Sequence, residues 1–586
     1  MAPGGAIDPD DTDAAVAALR AERARVLGDA ALAPARRATR LIELGAWADA
    51  ERGLRATSPT PETRLASALL ALKRHRYDEA ARLVDGIDGD AAVLLRARLE
   101  VQAWRLAEAE RIALSVWGEG GGGRGRTADE AGVLLGRVEL LRQDFDAAER
   151  WAERLLARDA DNADALLLLS DVRFWRVDPA GAEEPLRRSL ALDPFDADAR
   201  FNYGYAIWRR VDATQLDAMA AQWQLALAID SLHYLTQWHW GNGHTQLTYA
   251  DYAHPTDSIV RVRLAPVDSL IPAGRSAEAI ARSREVEAEF PESVLPAMLR
   301  GSAFYMAWHM PARLDSAEAT FRDVLARKTN YGPAHNGLAA VIKQRQVRVL
   351  AAFDSLEADI AATPLPDDSV FWQVFTDVGY YPGERVPKMV WNQLGPSRAY
   401  IPLLHRLERD FTIPPLHKDL AEAMDEAGFR VWTTFDNRQW MDIRGVGGGA
   451  TGIEYVERGS HQERNVTAHE YVHLFHGNVL TDTEVRRIRE LYYAAMEQGR
   501  ALDYYAENNE SEYFAQGYEA WLSPVKVHPL NHKSMNTRDD LARKDPPLHA
   551  FIDSLVARQN AFLAGDAAAF SGNWAQVYVG RARAQL

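Results

Sequence analysis

Residues Leu156–Ala165 read LARDADNADA and residues Leu190–Ala199 read LALDPFDADA, an offset of 34. Gly136, Ser170 and Gly204 keep the same step, as do Ala148 and Ala182. Self-similarity at this period marks an array of two-helix units. The small residues fall where the two helices of a unit approach most closely. Pro194, after Asp193, ends a second helix, because proline cannot continue one. A single unit cannot bury its apolar face, so its neighbours must stack on it. The period therefore directs this part of the chain toward an all-α solenoid.

Weaker copies flank the pair. Tyr77-Asp78-Glu79-Ala80-Ala81 and Phe145-Asp146-Ala147-Ala148-Glu149 share the start of a second helix, and Leu106-Ala107-Glu108-Ala109-Glu110 is a fainter copy. Helical patterns over Ala277–Pro291, Ser293–His309, Asp315–Lys328 and Ala334–Gln344 continue the series. These units resemble tetratricopeptide repeats, although few carry every consensus position. The resemblance implies a curved array over residues 13–362 whose groove takes a protein partner; the plainer reading is a helical array with no working groove. Two stretches interrupt it. Gly118–Gly125 reads GEGGGGRG, lacks the ending of a phosphate-binding loop and follows a helix, so it reads as a surface insertion. His233–Val267 is rich in Trp, His and Tyr. His239 and His244 fit no ligand spacing, and Gly241 and Gly243 interrupt any helix, so packing is expected there, in a core or along the cleft of the next domain.

The repeats fade after Gln344. Thr363-Pro364-Leu365-Pro366-Asp367-Asp368 reads as a linker, and residues 363–394 are expected to connect the solenoid to a third segment over 395–586. Composition there turns from helical to mixed. Phe429–Phe435 reads as a strand, Gly445–Gly449 as a glycine-rich turn, and Gly452–Val456 as a second strand.

The chemistry gathers just beyond. His469-Glu470-Tyr471-Val472-His473 is an HExxH sequence in a segment with helical spacing. Four residues apart on a helix places both imidazoles on one side, where they can hold one Zn2+. Glu470 then faces the same cleft as a base for water without binding the metal. A metzincin would need Gly and His at the positions of His476 and Val479, so that class is excluded. A third ligand has to come from elsewhere. Tyr505–Gln516 reads YAENNESEYFAQ, acidic residues leading into a second helix, and a carboxylate from it would complete a His2Glu site with one open position.

Tyr505, Glu512 and the Tyr513-Phe514-Ala515 triplet after an HExxH helix resemble the catalytic domain of the anthrax lethal factor and Mlc titration factor peptidases. The resemblance implies an α+β zincin-like metallopeptidase domain of gluzincin type over 395–586. It implies Glu512 as third zinc ligand, with Glu510 and then Glu519 as rivals, and Tyr505 rather than its neighbour Tyr504 as an oxyanion donor. Gln516 stands where relatives often carry Glu, one turn after the ligand. In zincins of this build a strand beside the metal pairs with extended substrate, which assigns Gly452, Ile453, Glu454 and Tyr455 to substrate binding.

Composition narrows the rest. The 586-residue chain is long enough for two or more domains. A net charge of −16 disfavours nucleic acid and anionic membrane as partners. With no Cys there is no disulfide, thiolate zinc site or cysteine nucleophile, and 16 His with the carboxylates are the remaining metal ligands. No run reaches the roughly 20 apolar residues of a membrane span, and the N-terminus lacks the features of a signal peptide. A soluble chain is expected, either an exported bacterial protein with its leader removed or a cytoplasmic one. The expected function is peptide-bond hydrolysis by water on one zinc per chain, with the repeats recruiting a protein substrate or partner. The alternative is a tetratricopeptide-type scaffold whose C-terminal segment is an inactive peptidase relative.

Overall fold

A computed structural model of the protein describes residues 7–118, 125–244, 247–367, 369–434, 436–456, 464–526 and 535–586. Most of the glycine-rich insertion read over Gly118–Gly125 lies outside them. The chain divides into two compact units, Met1–Gln237 with Ile342–Ala351, and Trp238–Val341 with Ala352–Leu586. Among the described residues no helix is long and apolar enough to cross a membrane.

The first unit is a helical-repeat array. Helices Arg126–Leu141 and Phe145–Arg158 pack as a pair, followed by Ala163–Trp175 with Pro179–Leu192 and Ala197–Trp208 with Leu216–Ile229. The repeated acidic and amide residues are helix caps. Asn162 and Asp196, 34 apart, accept from Ala165 N and Ala199 N at 2.9 and 2.7 Å. Asp144 and Asp178 cap the second helices through Ala147 N and Gly181 N at 2.9 and 2.8 Å. Each such cap satisfies one N–H that the helix start leaves open.

The turn inside each pair repeats more faithfully than the sequence. Gly45, His75, Trp104, Gln143 and Val177 all have positive φ, between 54° and 73°. In each, that residue's N–H bonds the carbonyl three back and the next N–H the carbonyl five back, at 2.8–3.0 Å. This is the Schellman helix stop, usually built on glycine. Here the array tolerates a β-branched residue at Val177. The weaker sequence copies at Tyr77, Leu106 and Phe145 begin second helices directly after these turns. Ala148, Ala182 and Ser170 are fully buried between helices.

The second unit corrects several expectations. The α+β domain is not formed. Its named strands among the described residues are Gly445–Val446 and Ala450–Thr451, an antiparallel pair with Gly445 opposite Thr451, and the rest is helix, 3-10 turn and irregular chain. The strand expected over Phe429–Phe435 is replaced by a 3-10 turn at Ala427–Arg430 and a tight local loop, with Thr434 N bonded to Arg438 O at 2.9 Å. Val431 and Trp432 are both exposed, so nothing there rewards alternation. Phe435 itself lies outside the described residues. The strand expected over Gly452–Val456 is a short helix, Ile453–Val456. Its Glu454 is drawn inward to Arg444 at 2.9 Å and accepts from Asn336 Nδ2 at 2.9 Å.

The expected boundaries at 362 and 394 also move. Helices Ser276–Glu289, Leu295–Met306 and Arg313–Arg327 belong to the second unit despite their repeat-like pattern. The stretch 363–394 is no spacer. Arg385 grips Glu357 through two bonds of 2.6 and 2.7 Å, and Asn392 Nδ2 donates to Thr363 Oγ1 at 3.1 Å.

Two outcomes follow for stability. A Cβ at Gly204 would lie 2.4 Å from Nε1 of the buried Trp223, whose N–H donates to Phe201 O. Gly204→Ala should cost about 1–3 kcal/mol by overpacking, read by urea unfolding; an unchanged midpoint would show that the indole yields. In the second unit, Asp442 is buried, accepts from Tyr252 Oη at 2.8 Å, and burial pushes its carboxyl from 3.8 up to about 8. The folded state thus holds a proton that the unfolded chain has released, so stability is lost as pH rises from 3.8 to about 8. Asp442→Asn should gain in melting temperature over the parent across that window and hold the gain above it. Parallel curves for the two proteins would mean that Asp442 titrates normally.

Candidate metal centre

Helix Val466–Asn478 carries the HExxH sequence. Its orientation follows from its own residues. Tyr471 and Phe475, one turn apart, are fully buried, Phe475 against Tyr400, Phe514 and Tyr518 and Tyr471 against Phe375 and Phe411. Positions two residues away lie about 200° round a helix. Anchoring Tyr471 and Phe475 in the aromatic core therefore turns His469 and His473 to the opposite side. Asn465 caps the helix, its Oδ1 accepting from Ala468 N at 2.9 Å.

The second helix of the site, Glu510–Leu522, begins at Asn509, which accepts from Ser511 N and Glu512 N at 2.9 Å each. That start projects Glu512 at the two histidines. His469 Nε2 lies 3.1 Å and His473 Nε2 3.6 Å from Glu512 Oε2, and the two Nε2 atoms are 3.3 Å apart. A tetrahedral zinc with ligands at about 2.0–2.2 Å separates them by about 3.3–3.6 Å. The triangle thus has the dimensions of one face of such a site. Glu470 also brings an oxygen within 4.8 Å of a ring nitrogen on each histidine. Glu512 is the closer carboxylate to both rings.

The rivals for the third position are engaged elsewhere. Glu510 is held by Arg489 through two bonds of 2.6 and 2.8 Å. Glu519 is buried, paired with Lys526, and accepts from Asn465 N at 2.7 Å. Ser511 Oγ stands 2.7 Å from His473 Nδ1. In a neutral ring whose Nδ1–H is donated to Ser511, His473 Nε2 would be the lone-pair atom facing Glu512, the tautomer a metal requires. His469 Nδ1 is buried without a hydrogen-bond partner among the described residues.

Electrostatics suit a cation. Burial alone would raise the Glu512 carboxyl, but hydrogen bonds from His469 and His473 and their charge hold it well below the usual carboxylate range. Burial would likewise lower His473, and the bond to Glu512 outweighs it and raises the imidazole. Burial and then the Glu512 charge push the Tyr505 phenol far up, so it stays a donor. Its hydroxyl lies 3.4 Å from Arg438 Nη2. Tyr505, and not Tyr504, lines a cavity of about 290 Å³ together with Glu470, Glu512, Trp238, Trp440, Arg438 and Arg464.

The glycine-rich turn lies directly against the helix. Gly448 N donates to Glu470 O at 3.1 Å. A Cβ at Gly445 would sit 2.7 Å from Glu470 Oε1, and one at Gly447 3.0 Å from the His473 ring. Both positions must be small for the two side chains to keep their places. The aromatic stretch after His233 contributes Trp238 and Asn242 to the cavity wall. His239 and His244 bond each other at 3.3 Å within that stretch, both buried.

The assigned substrate strand is not there. Gly452 N donates to Arg444 O at 2.7 Å, Ile453 N to Pro414 O at 3.0 Å and Tyr455 N to Gly452 O at 3.0 Å, so three of these four N–H groups are engaged internally. Glu454 is committed to Arg444. Tyr455 alone of the four lines the cavity, and its hydroxyl donates to Asn242 Oδ1 at 2.9 Å. Arg438, Arg464, Ser511 and Trp440 carry no signal in the sequence, whereas Trp238 belongs to the aromatic stretch expected in a core or along this cleft.

No family model and no curated protein matches the chain. Among solved structures, the crystal structure of MamA aligns with 33% of this chain and 94% of its own, at 20% identity and a TM-score of 0.17. The crystal structure of the P58(IPK) TPR domain aligns with 61% of this chain and 96% of its own, at 15% identity and a TM-score of 0.15. Both scores are low, and the helical-repeat reading of the first unit rests on its 34-residue period and repeated turns.

The carboxylate assignment is open to direct test. Glu512→Ala should weaken zinc binding by more than about 100-fold, the upper end for loss of an outer partner. Glu510→Ala should leave it near the parent. Competitive titration with a chelating dye reads both; the reverse order would move the third ligand to Glu510.

Proposed function

We propose that the second unit hydrolyses peptide bonds with one zinc per chain and that the repeats of the first unit bind protein, as substrate or partner. One observation carries the hydrolytic reading. Two imidazole nitrogens and a carboxylate oxygen converge at tetrahedral spacing, with a second carboxylate beside them on the wall of a cavity. His469, His473 and Glu512 would hold the ion, leaving a fourth position open to the cavity. When bound there, zinc supplies Lewis acidity that acidifies water and polarises a carbonyl.

The remaining steps belong to the chain. Glu470 takes the proton from a water as its oxygen bonds the scissile carbonyl carbon. Tyr505 donates to the oxygen on which negative charge develops. Glu470 then returns the proton to the nitrogen as the C–N bond breaks, giving a carboxylate and an amine. Arg438 and Asp436, paired at 3.0 Å, position the phenol from behind.

A second reading is favoured by the repeat architecture, the better supported half of the protein. In it the first unit is a protein-binding scaffold and the histidine cluster performs no hydrolysis. Helical-repeat arrays present extended surfaces suited to such a role.

Glu470→Gln separates the two. The variant should retain about one zinc per chain by metal analysis and lose about 100- to 10,000-fold in kcat on an unfolded protein, the usual worth of a general base. Equal turnover by metal-loaded parent and variant would remove Glu470 from the mechanism. No turnover by zinc-loaded parent on unfolded proteins or peptide mixtures would leave the scaffold reading standing.

A further inference from the structure

The cavity beside the metal centre has four charged side chains in its wall, Arg438, Arg464, Glu470 and Glu512. Three are accounted for. Arg438 is neutralised by the buried Asp436 at 3.0 Å. Glu512 and Glu470 together match the charge of one divalent ion. Arg464 is left over. It is only 7% exposed, its Nε is buried without a hydrogen-bond partner, and it forms no ion pair among the described residues.

A buried guanidinium without a counter-charge is costly, and proteins seldom keep one unless something pairs with it. It stands immediately before Asn465, the residue that caps the HExxH helix and joins it to its neighbours, so its backbone is firmly placed. The planar fork of arginine matches a carboxylate through two parallel bonds. A single unmatched positive charge suits a singly charged carboxylate better than a phosphate dianion, since Arg438 is already spent on Asp436. Trp238 and Trp440 add flat apolar surface to the same cavity.

We infer that Arg464 is the subsite for a substrate carboxylate, so that the peptides this centre takes carry a free C-terminus or an acidic side chain close to the scissile bond. The inference rests on the proposed peptidase reading and assigns it a substrate class. Arg464 acts here by binding and does not touch the reacting atoms.

The test uses the full zinc-loaded chain and one peptide in three forms: free acid, C-terminal amide, and amide with one Gln near the scissile bond replaced by Glu. At least one carboxylate form should exceed the plain amide by about 30-fold or more in kcat/KM, the lower end for a buried charge pair. Which form gains identifies the source of the carboxylate. Arg464→Gln should bring that ratio close to unity, and Arg464→Lys should keep part of it. Binding is read separately from turnover by titrating tryptophan fluorescence with N-acetylglycine and with its amide. If no peptide is cleaved, the peptidase reading fails, while tighter binding of the acid that Arg464→Gln abolishes still supports the subsite. Equal binding of acid and amide, or a preference that Arg464→Gln leaves intact, overturns it.

Discussion

Asn465 is the joint on which the candidate site depends. Its Oδ1 caps the helix of His469 and His473, its Nδ2 donates to Gln393 O at 2.8 Å, and its backbone N–H donates to Glu519 at 2.7 Å. One residue thus ties together helices Arg385–Leu394, Val466–Asn478 and Glu510–Leu522. As a cap alone it is worth about 1 kcal/mol. Its larger effect is registration. Glu519 lies two turns beyond Glu512 on one rigid helix, so holding Glu519 at the start of the histidine helix fixes where Glu512 meets the two rings. A centre of this kind tolerates errors of only about 0.5 Å.

The same geometry explains why the site is at odds with itself when no cation is shared. Two imidazole nitrogens and a carboxylate oxygen aimed at one point can pair only if protons are distributed among them. That is why Glu512 is held low and His473 raised. A divalent ion would satisfy all three atoms at once, and Ser511 Oγ, 2.7 Å from His473 Nδ1, is placed to take the proton of that nitrogen. The cavity wall extends the logic. Its charges pair off one by one until Arg464, which places the demand for a negative group on the ligand.

Much of this was legible in the sequence wherever the information is local. The 34-residue step marks caps and buried small residues, both set by neighbours within a turn or two. The i,i+4 histidines needed only a helix. What failed was non-local. Gly452–Val456 has strand-like alternation, but the buried Arg444–Glu454 pair and bonds to Pro414 and Arg444 carbonyls curl it into a helical turn. The proline-rich stretch from Thr363 looks like a linker until Arg385 and Asn392 reach back across it. Helices 276–327 carry the same helical pattern whichever unit they join, so no periodicity could place the boundary. Sequence could rank Glu512 over Glu510 and Glu519 only by resemblance. In the structure Glu510 pairs with Arg489 and Glu519 with Lys526, which is the non-local information that supports the proposal of Glu512.

The near absence of sheet need not weaken the site, because the work expected of strands is done by a turn. Gly445–Val446 and Ala450–Thr451 form a hairpin with strands of two residues each, and Thr412 joins its edge through Thr412 N to Gly449 O at 2.8 Å and Thr451 N to Thr412 O at 3.0 Å. That is enough to stiffen the glycine run between them. Gly445 and Gly447 then let the backbone come within contact of Glu470 and His473, and Gly448, at φ +80°, turns its N–H onto the helix. Side chains at the first two positions would displace Glu470 and His473, the proposed base and one of the proposed ligands. Fold class and site are separable in this way: a centre needs its donors fixed in space, and a capped helix pair braced by a short glycine hairpin fixes them as well as a sheet would.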